Sequence, residues 1–302
     1  MENLPAGFRS IITALTLCLA LGLALAPSAS AADYTPQQRK EYFDSGKYAN
    51  DLATVARSAR RWIIRRTQPT LGKVRACRKA GYRIGKKDPG VNPNADYSIP
   101  VNVPKHQQPD RIVSAPEPGP DGQPAVLLPD KNIFKPVRKV KKITRKACAK
   151  MKRLAIAMDM DETVASSFAY GSDRVVYDNA QAGANLATGT QTRLRQMYKV
   201  YKLAKNRGVA AFIITARPEI PSLREITEQN LKDIGYTTLA GVYLKPHITD
   251  DTATVKNSER AEIVKRRGYR IIAMFGDQPT DLEGGFFERG FKYQSPYAPD
   301  EG

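Results

Sequence analysis

Leu154-Ala155-Ile156-Ala157-Met158 runs directly into Asp159-Met160-Asp161-Glu162-Thr163, so a short apolar stretch ends in two carboxylates and a hydroxyl. A run of this length reads as a buried strand, and the ligands of parallel α/β sheets bind at the carboxyl ends of strands. Two more runs end the same way. Val209 to Ile214 leads into Thr215-Ala216-Arg217-Pro218-Glu219, and Ile271 to Phe275 leads into Gly276-Asp277-Gln278-Pro279-Thr280-Asp281. Between them Lys256 stands just before a helical stretch that Gly268 closes. The chain thus presents, in order, a carboxylate pair, a hydroxyl, an ammonium and a second carboxylate pair. Leu194, Met197, Tyr198 and Tyr201 recur at helical spacing in a segment closed by Gly208, and Pro221 opens another helix that ends near Gly235. Strands alternating with helices of these lengths imply βαβ units and a parallel α/β sheet covered on both faces.

At these residues the chain resembles the haloacid dehalogenase (HAD) superfamily. Within it, the likeness is to the acid phosphatases that include bacterial class B and class C enzymes and plant vegetative storage proteins. It rests on Asp-x-Asp-Glu-Thr at 159–163, Thr-x-Arg-Pro-Glu at 215–219 and Gly-Asp-Gln-x-x-Asp at 276–281. It covers the second half of the chain, from Leu154 onward. The resemblance implies a HAD-like Rossmannoid parallel sheet with helices on both faces and a small cap or none, here preceded by an N-terminal helical and Pro-rich extension. Two positions depart from the pattern: Ala216 replaces the usual glycine between Thr215 and Arg217, and Pro279 stands where a bulkier residue is common.

The chemistry of such a set is phosphoryl transfer, which needs a nucleophile, a proton donor for the leaving oxygen and positive charge around the transferring group. Asp159 is the candidate nucleophile, forming an aspartyl-phosphate, and Asp161 the candidate acid and base. Crowded carboxylates would repel a phosphate ester unless a divalent cation such as Mg²⁺, bound through oxygen ligands, stood between them. By resemblance, the metal is held by the Asp159 side chain, the main-chain carbonyl of Asp161 and Asp277, with Asp281 in support; Thr215 and Lys256 bind the phosphoryl group. Lys245, which follows the apolar stretch Leu239 to Leu244, is the rival for the lysine. Dehalogenases lack the second aspartate, because a halide needs no proton, so Asp161 points to ester hydrolysis. Val164 to Thr190 leaves no room for the large cap of a phosphomutase. Phe168 and Tyr170 lie where a leaving group would protrude.

Residues 1–31 read as a secretory leader: Arg9, an apolar stretch from Ile11 to Ala26, Pro27, and Ala29-Ser30-Ala31 as the cleavage site. An exported, secreted or cell-envelope protein with no transmembrane span after cleavage is expected. Export leaves Cys77 and Cys148, either as one disulfide or as two free thiols. Cys77 to Arg83 also fits the C-x5-R phosphate loop of cysteine phosphatases, although Ala76 occupies the place of its histidine. Of the formal charge of +18, residues 32–153 carry the whole excess, with 28 Lys and Arg against 10 Asp and Glu, while residues 154–302 carry 19 of each. Such asymmetry marks either a surface for polyanions or simply solvated helix faces.

The organisation expected is a basic helical extension over 32–87, a Pro-rich linker or surface segment over 88–138 with 11 of the 21 prolines, and the HAD-like domain over 139–302. A single helix is expected from Pro36 to Thr67, its stripe of Leu52, Val55, Ala59 and Trp62 packing on the catalytic half. The function expected is an exported Mg²⁺-dependent phosphomonoesterase acting on small phosphomonoesters. The alternative is a polyanion-binding or storage-like protein that uses the domain as a scaffold.

Overall fold

The computed structural model describes residues 36–115, 136–166 and 188–293. The leader segment, Phe168 and Tyr170 lie outside the described residues. The chain opens with α1 (Pro36–Asp44), α2 (Lys47–Thr67) and α3 (Leu71–Lys79). The one helix expected over 36–67 is two, because Gly46 takes φ 74 and turns the chain through the left-handed region that a residue without Cβ enters freely. Leu52, Val55, Ala56, Ala59 and Ile63 form the buried stripe of α2, sharing a core with Met197, Val200, Ile213 and Phe275. Trp62 sits at the edge of that stripe. Its indole nitrogen donates to the Ile272 carbonyl at 2.6 Å, and the Arg289 guanidinium lies 3.9 Å from its ring centroid.

The remaining elements are β1 (Arg111–Val113), α4 (Arg145–Ala149), β2 (Arg153–Met158), β3 (Ala165–Ser166), β4 (Thr192–Arg193), α5 (Arg195–Asn206), β5 (Ala210–Pro218), α6 (Pro221–Asp233), β6 (Gly241–Lys245), α7 (Thr252–Lys265), β7 (Tyr269–Gly276), α8 (Pro279–Leu282) and β8 (Arg289–Lys292). Six strands build one sheet in the order β1-β8-β7-β2-β5-β6, every pair parallel. From central β2 the chain winds outward through β5 and β6, then returns to the other side for β7 and β8. That reversal beside β2 opens a crevice at the carboxyl ends of β2 and β7, the place where sheets of this kind bind ligands. β3 and β4 form a separate two-residue antiparallel pair at the base of the segment after the first motif.

The Pro-rich stretch, as far as Ala115, is an extended strap bonded to the domain. Its one strand, β1, adds the sheet's outer edge beside β8. Tyr97 donates its hydroxyl to Glu262 at 2.7 Å, while Ser258 and Asn257 donate to the carbonyls of Ile99 and Val101 at 2.7 and 3.2 Å. The strap explains why α7, a polar helix by sequence, has Val255 to Ala261 buried without a break. One face meets the sheet and the other meets the strap, which supplies partners for its polar groups. Asp88 anchors the start of the strap, accepting from Arg267 at 2.8 and 2.9 Å and from the Tyr269 hydroxyl at 2.8 Å.

Cys77 and Cys148 are joined in a disulfide that links α3 to α4. Both are fully buried, so the thiolate that a C-x5-R phosphate loop requires is not available, and Arg83 stands exposed nearby. Among the described residues no helix is long and apolar enough to cross a membrane.

Candidate active site

Asp159 follows β2 and its amide donates to the Phe275 carbonyl of β7 at 2.8 Å, which fixes the first turn after the strand. Lys256 reaches it from the second turn of α7, whose start is set by Asp251, its carboxylate accepting from the Thr254 amide at 2.8 Å. The Lys256 ammonium lies 2.7 Å from Asp159 Oδ1 and also donates to Asp281 Oδ1. Asp277, at the end of β7, completes the group: Asp159, Asp277 and Asp281 each turn one carboxylate oxygen to within 4.8 Å of the others, and all three are buried. Asp281 can come this close because Gly276 has no side chain. A Cβ there would stand 2.1 Å from the Asp281 Cβ, far inside any real contact.

The electrostatics of this group are unbalanced. Burial, and then the charge of Asp281, push the carboxyls of both Asp159 and Asp277 well above the ordinary range. Burial works against the Lys256 ammonium, but Asp159 and Asp281 outweigh it and hold the amine above its usual value. One ammonium thus faces three buried carboxylates. A hard divalent cation with oxygen ligands fits this donor set, since it would supply the missing positive charge where the three oxygens converge.

Asp161 belongs to a second cluster beside the first. Its side chain is 39% exposed, and it is gripped from behind by Arg217, whose Nη2 and Nε donate to Oδ1 and Oδ2 at 2.7 and 2.9 Å. Loss of water lifts this carboxyl, but the Arg217 guanidinium overrides it and keeps Asp161 below the usual carboxylate range. Arg217 is aimed inward by a bulge: the register of β5 on β6 jumps between Thr215 and Pro218, so that Ala216 is exposed and Arg217 is buried. Ala216 has no positive φ, and the turn therefore accepts it in place of glycine. Glu162 carries the strain instead, at φ 52, directly after Asp161.

Of the residues singled out in the sequence, Asp159, Lys256, Asp277 and Asp281 come together, with Asp161 beside them. Thr215 is buried at the same end of the sheet, its hydroxyl accepting from the Arg217 amide at 3.3 Å. Lys245 points elsewhere, donating to the Asp250 carbonyl at 2.9 Å. Sequence reasoning quoted Arg217 but gave it no partner. It passed over Gln191, whose side chain lies between Arg217 and Asp161, and it quoted Thr163, whose hydroxyl is 3.4 Å from Asp277, without giving it a role.

A family model for the HAD superfamily, subfamily IIIB (acid phosphatase), matches residues 131–297. The chain belongs to this family. Acid phosphatase 1 of Solanum lycopersicum is 32% identical over 146 residues, which are 46% of this chain and 56% of that protein. Vegetative storage protein 1 of Arabidopsis thaliana is 31% identical over 153 residues, 47% of this chain and 54% of that one. The chain therefore spans about half the length of the curated relatives it matches. The class C acid phosphatase from Bacillus anthracis aligns in structure with a TM-score of 0.36 and 22% identity, over 44% of this chain and 55% of that chain. The subfamily IIIB match begins before α4 and ends beyond β8, so it takes in every residue of both clusters.

Proposed function

We propose that the protein is an exported, Mg²⁺-dependent phosphomonoesterase that works through an aspartyl-phosphate. The reading is carried by the juxtaposition of Asp159 and Lys256, 2.7 Å apart in a buried cluster, with a second aspartate two residues on that faces the crevice. Asp159 attacks phosphorus in line as the ester P–O bond breaks, and Asp161, its carboxyl raised by the negative charge of the bound ester against the hold of Arg217, gives its proton to the departing oxygen. Asp161 then takes a proton from the water that hydrolyses the aspartyl-phosphate, which returns both residues to their starting state. Lys256 and the Thr215 hydroxyl bind the phosphoryl oxygens and offset the charge that grows on them. Asp159, Asp277 and the Asp161 carbonyl would hold the metal, with Asp281 in support; when bound, it screens the carboxylates from the dianionic substrate. The buried disulfide supports export, because such bonds persist in oxidising compartments.

Turnover of an aryl phosphate is expected to stop in excess chelator and to return when Mg²⁺ is restored. Full activity with chelator present would remove the metal from the mechanism.

A second reading, contact with a polyanion or a storage-like role, draws on the basic half. Arg78, Arg83 and Lys152 have no partner among the described residues and line a cavity of about 420 Å³ together with Arg153, Lys205 and Arg207, with no carboxylate in its wall. Binding of inorganic polyphosphate should then weaken steeply with salt and with Arg78→Glu plus Arg83→Glu, while aryl phosphate turnover is unchanged. Binding that ignores both changes removes this reading.

A further inference from the structure

Gln191 sits one residue ahead of β4. The pairing of Thr192 with Ser166 and of Arg193 with Ala165 folds it back over the turn that carries Asp161. It is 3% exposed and tightly placed: Asn230 donates to its backbone carbonyl at 3.1 Å, and its amide oxygen accepts from Arg217 Nη2. Its amide nitrogen donates to Asp161 Oδ1 at 2.7 Å. Arg217 is itself fixed, its Nη1 donating to the buried Thr227 hydroxyl at 3.0 Å. The result is a closed ring of side chains in which Gln191 bonds both members of the Asp161–Arg217 pair.

The two oxygens of Asp161 are not equivalent in this ring. Oδ1 receives Arg217 Nη2 and Gln191 Nε2, both at 2.7 Å, and so has both lone-pair positions occupied. Among the described residues Oδ2 receives Arg217 Nε alone, at 2.9 Å, which leaves one of its lone-pair positions without a donor from them. We infer that Gln191 is a positioning residue for the proton transfer, restricting the mobile proton of Asp161 to Oδ2 and stopping the carboxyl from rocking in the Arg217 fork. The inference rests on the reading of Asp161 as the acid. In the step concerned, the Oδ2–H bond breaks, the proton goes to the ester oxygen as its bond to phosphorus breaks, and the electron pair of that bond stays with the leaving alcohol. Without Gln191, Oδ1 regains a lone pair, the proton can rest on either oxygen, and the arginine fork alone sets the angle of the carboxyl.

The sensitivity of the rate to the leaving group separates this role from simple support of the fold. An alkoxide needs its proton during departure, whereas a dinitrophenolate leaves without one. Values of kcat/KM, which report the steps through phosphoryl transfer, are compared for an alkyl phosphate, phenyl phosphate and dinitrophenyl phosphate. Gln191→Leu is expected to lose at least about tenfold more on the alkyl ester than on the dinitrophenyl ester, a part of the 10²–10⁴ that a positioned acid supplies. Gln191→Met keeps the length of the side chain but neither of its hydrogen bonds to the pair. It should show the same bias and serves if the leucine variant does not fold. A uniform loss across the three esters in both variants overturns the positioning role. Asp161→Asn, run in parallel, should show a larger bias of the same kind; a uniform loss there instead overturns the acid assignment, and the inference with it.

Discussion

Asp159→Asn is expected to reduce hydrolysis by on the order of 10⁵-fold while leaving the fold intact, because an amide cannot attack phosphorus and the loss of a nucleophile is of this size in other covalent enzymes. The substitution keeps the shape of the side chain and removes one of three buried carboxylates that repel one another. Its stability should therefore equal or exceed that of the parent protein. Two measurements check this together: turnover of an aryl phosphate, and capture of acid-stable label from a radioactive ester in the parent but not in the variant. Activity within tenfold of the parent would move the nucleophile elsewhere, though not to Cys77, whose sulfur is bonded to Cys148.

Glu259→Gln should change how stability depends on pH. Glu259 lies one turn along α7 from Lys256, is fully buried, and neither of its carboxylate oxygens has a hydrogen-bond partner among the described residues. Burial drives its carboxyl well above the ordinary value of 4.5, against the pull of Lys256 and Arg260. The folded protein thus holds this proton more tightly than the unfolded chain does. Its stabilising effect is complete below the unfolded value and is lost as pH rises through the folded one. Relative to Glu259→Gln, which does not titrate, the parent should lose about 1.4 kcal/mol for each pH unit across that window. Urea unfolding of both proteins from pH 4.5 to 8 measures the difference. A stability gap that is constant over this range would mean that Glu259 is ionised in the fold.

The strands that carry chemistry were legible because each is an apolar run with an abrupt polar end, as Leu154 to Met158 shows, and burial of the run leaves little choice of conformation. The helices with one apolar stripe, α2 and α5, were legible for the same reason. β1 and β8 were not. Arg111–Val113 is a three-residue edge strand and Arg289–Lys292 a four-residue strand between it and β7; both are too short to show a pattern, and their pairing depends on contacts across the chain that no local pattern encodes. The break at Gly46 was hidden because the residues on both sides of it favour helix. Within the site, the motif residues declared themselves by type and order. Gln191 could not, since a glutamine in a polar stretch has no signature until the β3–β4 pairing places it beside Asp161. Glu259 was equally silent: in sequence α7 is a polar surface helix, and only the strap across its outer face makes it an interior one.

The bond between Cys77 and Cys148 has a topological meaning beyond the two helices that it joins. With a separation of 71 residues it closes a covalent ring, and the whole of the strap from Asp88 to Val113 lies on that ring. A strap tied at both ends cannot peel away as a free tail; it can leave α7 only by bowing outward as a loop. A protease that cuts anywhere between the two cysteines severs the backbone but not the molecule, and the pieces remain held in register through sulfur. In an exported protein of the kind proposed, the ring makes the cover over the Lys256 helix tolerant of damage to its own backbone.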